Sequence, residues 1–202
     1  MSAPLPLEFV MSAPDVASLP ETRAEVALIG RSNVGKSSLL NALANRKALA
    51  AVSNTPGRTR LLNIFQLPGG RGTVVDLPGY GYAKVSKQDR ANLARRVEDY
   101  LSDREGLEMV MVLVDGEIGP TPLDLEVLAE MREALVPHAI VATKHDKVKS
   151  SARPKRKREL AAKCLLEPGD VFWVSAHTGV GIERLRGVVM GWLSNVGLAG
   201  PG

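Results

Sequence analysis

Eight consecutive residues, Gly30-Arg31-Ser32-Asn33-Val34-Gly35-Lys36-Ser37, fit the pattern GxxxxGK[ST]. Its glycines let the backbone curl so that successive N–H groups converge on a β-phosphate, and a following helix adds its positive N-terminal end. Lys36 is placed to bridge the β- and γ-phosphates, and Ser37 to give its hydroxyl to Mg²⁺. The run lies between an apolar, strand-like segment (Glu25–Ile29) and a helical one, where a phosphate loop must sit. A plain glycine turn is the alternative that this placement argues against.

A phosphate loop does not choose between ATP and GTP. Thr143-Lys144-His145-Asp146 does, because it fits [NT]KxD after a later strand. Asp146 can accept from both ring-edge donors of guanine, which adenine lacks, while the stem of Lys144 can cover the base plane. Val174-Ser175-Ala176 comes at the next strand end, in the right order to offer a backbone N–H to guanine O6. Asp76-Leu77-Pro78-Gly79 fits DxxG. Asp76 is the candidate that holds Mg²⁺ through water, and the N–H of Gly79 the group that meets the γ-phosphate. Ahead of it, Thr55-Pro56-Gly57-Arg58-Thr59 reads as the first switch, with Gly57 and Arg58 beside the nucleotide and Thr59 as the metal ligand. A hydroxyl there binds metal only while γ-phosphate is present, so hydrolysis releases the loop. Tyr80 follows Gly79 where Ras-like proteins carry the Gln that orients the attacking water, so unaided hydrolysis is expected to be slow. Asn33 is a candidate for the missing help, its side-chain oxygen holding a monovalent cation between the phosphates. A loop amide capping its own backbone is the alternative. Lys36, Thr59, Gly79 and Asn33 form the predicted catalytic set.

These groups need a frame that brings them to one edge. Leu61–Leu67 and Thr73–Asp76 read as a hairpin joined by Pro68-Gly-Gly. Ser86 to Ser102 has helical period, with Ser86 as N-cap and an apolar face of Leu93, Val97, Tyr100 and Leu101. Met109–Val114 is a continuous apolar run, as in a parallel strand covered on both faces. Helices are predicted over Pro122–Leu135, Arg153–Leu166 and Ile182–Leu193, and strands over Ala139–Ala142 and Val171–Val174. This alternation implies an α/β fold of three layers with six strands, mostly parallel and one antiparallel. In such sheets ligands sit beyond the C-terminal strand ends, where every motif above falls. Residues 1–21, with Pro4, Pro6, Pro14 and Pro20, read as an irregular arm, 22–196 as the nucleotide domain and 197–202 as a fraying tail.

Composition agrees with one soluble domain: 202 residues, 45% hydrophobic and 24% charged. A single cysteine, Cys164, allows no internal disulfide and suits a reducing compartment. No apolar run is long enough to span a bilayer and the start does not read as a signal peptide, so no membrane contact and a cytoplasmic location are expected. The three histidines do not show metal-ligand spacing with Cys164. Cys164, Trp173 and Trp192 read as packing residues. Net charge is +4, and Lys144, Lys147, Lys149, Arg153, Lys155, Arg156, Lys157 and Arg158 crowd one stretch. Such a cluster can hold a polyanion, or be a solvated helix face. A monomer is the default, since no interface is readable.

The run Asp76–Lys87 (DLPGYGYAKVSK), with GRSNVGKSSLLNAL at Gly30–Leu43, TPGRT at Thr55–Thr59 and FVMSAPDVASLP at Phe9–Pro20, closely resembles the EngB (YihA/YsxC) family of bacterial ribosome-assembly GTPases. The resemblance implies a G-domain fold, hydrolysis of GTP to GDP with Mg²⁺, and a role in maturing the large ribosomal subunit through its rRNA. It implies that the basic stretch Lys155–Arg158 faces rRNA, with Lys84 and Lys87 as further contacts. Related GTPases with Asn in the phosphate loop and no Gln in the second switch can use K⁺, which maps onto Asn33. His145 stands where the family usually has a small residue. Against this reading stand a P-loop kinase or ATPase, disfavoured by Thr143–Asp146, and an RNA-binding scaffold that keeps guanine nucleotide as a structural ligand. The GTPase part of a membrane transporter is disfavoured by the lack of a spanning segment.

Overall fold

A computed structural model describes residues 3–50, 61–81 and 87–194. In chain order the strands and α-helices are β1 (Glu8–Ala13), β2 (Glu25–Gly30), α1 (Lys36–Ala44), β3 (Leu62–Gln66), β4 (Thr73–Asp76) and α2 (Lys87–Asp103). Then follow β5 (Leu107–Asp115), α3 (Pro122–Glu133), β6 (His138–Thr143), α4 (Arg153–Lys163), β7 (Phe172–Trp173) and α5 (Ile182–Ser194). The sheet order is β1-β3-β4-β2-β5-β6-β7. Only β3 runs against its neighbours, pairing antiparallel with both β1 and β4, while the remaining ladders are parallel.

The apolar runs exist because both faces of the sheet are covered. Val26 and Leu28 of β2, with Met111 and Leu113 of β5, face α1 and α5, packing with Leu39, Leu40, Leu43, Leu185 and Val189. Their neighbours Ala27, Ile29, Val110, Val112 and Val114 face the other way, toward Tyr100 of α2, Leu128 and Met131 of α3, Leu160 of α4 and Cys164 just after it. Cys164 and Trp173 thus lie in the core, and burial pushes the Cys164 thiol up to about 11.

Among the described residues the sheet has seven strands rather than the expected six, because the N-terminal arm is not irregular throughout. Its prolines flank the stretch Glu8–Ala13 instead of interrupting it, and those residues extend the edge of the β3–β4 hairpin. Leu5 and Leu7 are fully buried. The Leu5 N–H donates to the Leu43 carbonyl at 3.0 Å, and Arg46 donates to the Leu7 carbonyl at 3.2 Å. Sequence periodicity missed this strand because an edge strand half exposed to solvent carries Phe9 and Val10 outward.

Two helices end earlier than their periodicity suggests. Leu135 and Leu165 take left-handed backbone (φ 54° and 56°), and the next N–H in each case bonds back into the helix (Val136 to Met131, Leu166 to Ala161, both 2.9 Å). At the other end of the sheet, Glu25 is fully buried at the start of β2. It accepts from Tyr100 and, at 3.0 and 2.7 Å, from Arg104, which also donates to the Pro20 carbonyl. This pairing fastens the far end of α2 to the strand that leads into the phosphate loop. Among the described residues no helix is long and apolar enough to cross a membrane.

Candidate nucleotide site

β2 delivers Gly30 to the edge of the sheet, where the chain turns. A Cβ at Gly30 would lie 2.9 Å from both the Leu113 carbonyl and Val34 Cγ1, so only glycine permits this approach of β5. Asn33 and Gly35 have φ of 63° and 110°, the left-handed conformation that Asn tolerates and glycine prefers. These turns aim the loop at the start of α1, whose first turn has no side-chain cap and no acidic residue. Its free N–H groups are a ready anion site. The Asn33 side chain is exposed.

Lys36 and Asp76 meet beneath the loop. The Lys36 ammonium is 3.8 Å from Asp76 Oδ1, and both side chains are less than a tenth exposed. That oxygen is buried and has no hydrogen-bond partner among the described residues. Burial pushes the Asp76 carboxyl above its ordinary range, opposed by the Lys36 charge. A buried carboxylate oxygen left unpaired costs stability unless something charged completes it. A divalent cation would reverse the sign of that shift, so the donor set fits Mg²⁺. Gly79 is buried at the end of this stretch, and Tyr80 is tied to the phosphate loop. Thr55, Gly57, Arg58 and Thr59, together with Lys84, lie outside the described residues.

Gly35, Lys144, Asp146 and Ala176 line a cavity of about 900 Å³. Lys144 stands at φ 56°, and its ammonium donates to Asp115 Oδ2 at 2.7 Å, which holds the stem in place along the cavity. Thr143 Oγ1 donates to the Val34 carbonyl at 2.7 Å, stitching the base-reading loop to the phosphate loop. Asp146 Oδ1 accepts from Ser175 Oγ at 2.6 Å, and that bond is the main cause holding its carboxyl below the usual range. The N–H groups of Val174 and Ser175 are already used, by the carbonyls of Ala142 and Val180 at 2.9 Å each. Ala176 is therefore the member of this trio that can offer an N–H to a base.

His145 points away from this cavity. It is buried, edge-on to Trp173 with ring centroids 5.9 Å apart, so its bulk falls beneath the loop and not on the base edge. Burial, with Arg153 and Lys157 nearby, holds its pKa below 6.5, while Asp146 pulls the other way. The unfolded chain binds this proton near pH 6.5 and the folded one only at lower pH, so acidification below 6.5 favours unfolding. His145→Gln is expected to flatten that acid limb. Melting temperature followed from pH 7.5 to 5.5 should fall further in the wild type than in the variant, and parallel curves would contradict this account.

The basic stretch divides. Lys147, Lys149, Lys155 and Arg158 are exposed. Arg153 donates to the Val148 carbonyl at 3.0 Å, the Lys157 ammonium sits 5.7 Å from the Trp173 ring centre, and Arg156 is half-buried. The eight charges are therefore not one solvated face, since part of them packs the base-reading loop against α4.

Two carboxylates escaped the sequence reading. Asp115 ends β5 as Asp76 ends β4, and it holds both Lys144 and the Glu117 N–H, the latter at 2.9 Å. Asp124 is fully buried at the start of α3 and binds both Arg31 and Tyr80. Thr121-Pro-Leu-Asp124 carried a visible signal for it, the spacing of a capping box.

A family model described as 50S ribosome-binding GTPase matches residues 25–144. The chain is 48% identical to a GTP-binding protein EngB of Pelotomaculum thermopropionicum over 96% of each chain. It is 49% identical to a GTP-binding protein EngB of Thermotoga maritima, covering 84% of this chain and 87% of that one. A crystal structure of a GTP-binding protein engB superimposes with a TM-score of 0.68 at 24% identity, covering 84% of this chain and 98% of that one.

Proposed function

The chain belongs to the EngB family of GTP-binding proteins, GTP hydrolases of the P-loop class, and we propose that it is a slow, Mg²⁺-dependent one whose nucleotide state controls its attachment to the large ribosomal subunit. The observation that carries the hydrolase part is the buried Asp76 Oδ1, which has no hydrogen bond among the described residues and only the Lys36 ammonium 3.8 Å away, below an uncapped helix N-terminus. In this reading the backbone from Gly30 to Ser37 cradles the phosphates; the N–H groups of Ser32 and Val34 are taken by the carbonyls of Tyr80 at 3.1 Å and Arg31 at 3.2 Å, which leaves those of Asn33 and Gly35 to face them. Lys36 neutralises β- and γ-phosphate oxygens. Asp146 and the Ala176 N–H read guanine, and the Lys144 stem covers its plane. Ser37 and Asp76 would hold Mg²⁺, joined by Thr59. When bound, Mg²⁺ neutralises charge building up on the phosphate oxygens. Gly79 offers its N–H to the γ-phosphate as water attacks in line. Tyr80 cannot act as the water-positioning Gln does, because its hydroxyl is turned to Asp124, which supports slow turnover. Asn33, exposed in the phosphate loop, is the candidate K⁺ ligand.

For the ribosomal part, the exposed Lys149, Lys155 and Arg158 are the contacts we assign to rRNA phosphates, with the protein acting in the cytoplasm. Sedimentation with purified ribosomal subunits tests this, with the protein loaded with a non-hydrolysable GTP analogue or with GDP. Association with the large subunit is expected only in the GTP form. Changing Lys149, Lys155 and Arg158 to Glu should abolish association at moderate salt and leave GDP affinity within about twofold, since none lines the base cavity. Undiminished association of that variant would remove the basic helix from the interface, and no association in either nucleotide state would remove the ribosome.

A further inference from the structure

The hydroxyl that displaces the usual water-positioning group is itself held by a built device. Asp124, fully buried, receives four donors: Tyr80 Oη at 2.9 Å on Oδ1, and Arg31 Nε at 3.2 Å, Thr121 N at 2.8 Å and Thr121 Oγ1 at 2.7 Å on Oδ2. Arg31 belongs to the phosphate loop, Tyr80 directly follows Gly79, and Thr121 caps α3. A capping aspartate needs only Thr121, so the bonds to Arg31 and Tyr80 go beyond what ending a helix requires. The backbone repeats the link. The Ser32 N–H donates to the Tyr80 carbonyl at 3.1 Å, and the Tyr80 N–H to the Gly30 carbonyl at 3.3 Å, making a parallel bridge between Arg31 and Tyr80.

We infer that Asp124 is a positioning residue for GTP hydrolysis: through Tyr80 and Arg31 it fixes the N–H of Gly79 against the phosphate loop. The inference rests on the hydrolase reading of the same site. Burial and the Asp124 charge push the Tyr80 hydroxyl above its ordinary range, so it stays a donor at any working pH. Gly81, at φ 75° and packed against Leu123, is the first residue past the clamp free to take a turn that side chains resist. The second switch therefore has a rooted part, Asp76–Tyr80. Gly79 meets a γ-phosphate without first being ordered by it, a preorganised donor of the kind that lowers barriers. Neither Tyr80 nor Asp124 lines the base cavity, so the loss of either is expected to act on kcat and not on GDP binding.

The test is a double-mutant cycle of Tyr80→Phe and Asp124→Asn on the full chain, with single-turnover GTP hydrolysis, KM and GDP affinity measured for each. Tyr80→Phe keeps the ring and removes only the donor. It should lower the hydrolysis rate about tenfold, with KM and GDP affinity within about twofold. Asp124→Asn should lower the rate at least as much, and the double variant no further than Asp124→Asn alone, because both remove one link. Hydrolysis by Tyr80→Phe at the wild-type rate overturns the inference, as does a double variant whose losses multiply. Equal losses in GDP affinity would show a general loosening of the site and overturn it too. A wild type that binds GTP but never turns it over fails at the earlier step, overturning the hydrolase reading and this inference with it.

Discussion

Replacing Asp146 with asparagine is expected to cost about 10³-fold in GTP affinity and to make xanthosine triphosphate the better ligand. The structure says how. Ser175 Oγ donates to Asp146 Oδ1 at 2.6 Å, so in the variant the amide oxygen is held at that position and the NH₂ group is turned to the cavity. Guanine presents donors there, and two donors facing each other leave both unpaired. Xanthine carries a carbonyl at C2 and accepts from the same NH₂. Competition of each triphosphate against a fluorescent GDP measures the switch. A variant that still binds GTP within about threefold of wild type would show that Asp146 does not read the base.

Lys36→Ala should remove about 10³-fold from kcat/KM for GTP, because charge-assisted bonds contribute about 1.5–3 kcal/mol each and Lys36 is placed to make two. The fold should survive. Without the ammonium 3.8 Å away, the carboxyl of Asp76, already raised by burial, rises further and takes up a proton instead of remaining an uncompensated buried charge. Calorimetric titration with a GTP analogue, beside thermal unfolding of the apo protein, separates the two effects. Binding at wild-type affinity would place the phosphates somewhere other than the loop.

Much of this site was legible because it sits at strand ends. Asp76 and Thr143 each close an apolar run, and a polar residue at that point has only the sheet's C-terminal edge to occupy. The phosphate loop was legible for a different reason: Gly30 and Gly35 stand where steric approach and left-handed backbone admit little else. What the sequence did not disclose depends on meetings between distant segments. Asp124 lies 93 positions from Arg31 and 44 from Tyr80, and nothing local marks it as more than a helix cap. The basic stretch misled in the opposite direction. Its spacing is that of a charged surface, yet Lys157 lies over Trp173 and Arg153 closes a turn, contacts set by how α4 lies on β7. The N-terminal strand was hidden by its prolines, whose effect depends on whether the intervening residues find an edge to pair with.

That strand also orders events in time. β1 leaves the ribosome before β3, its one sheet partner among the described residues, with Ser12 and Asn63 bonded across 51 positions of chain. Until β3 has emerged and folded back on β4, Glu8–Ala13 has no ladder to join. Long-range pairing of this kind slows assembly, since loop closure precedes any gain from contact. The arm is thus synthesised ahead of the strand it pairs with, and the finished edge of the sheet waits on a segment made later.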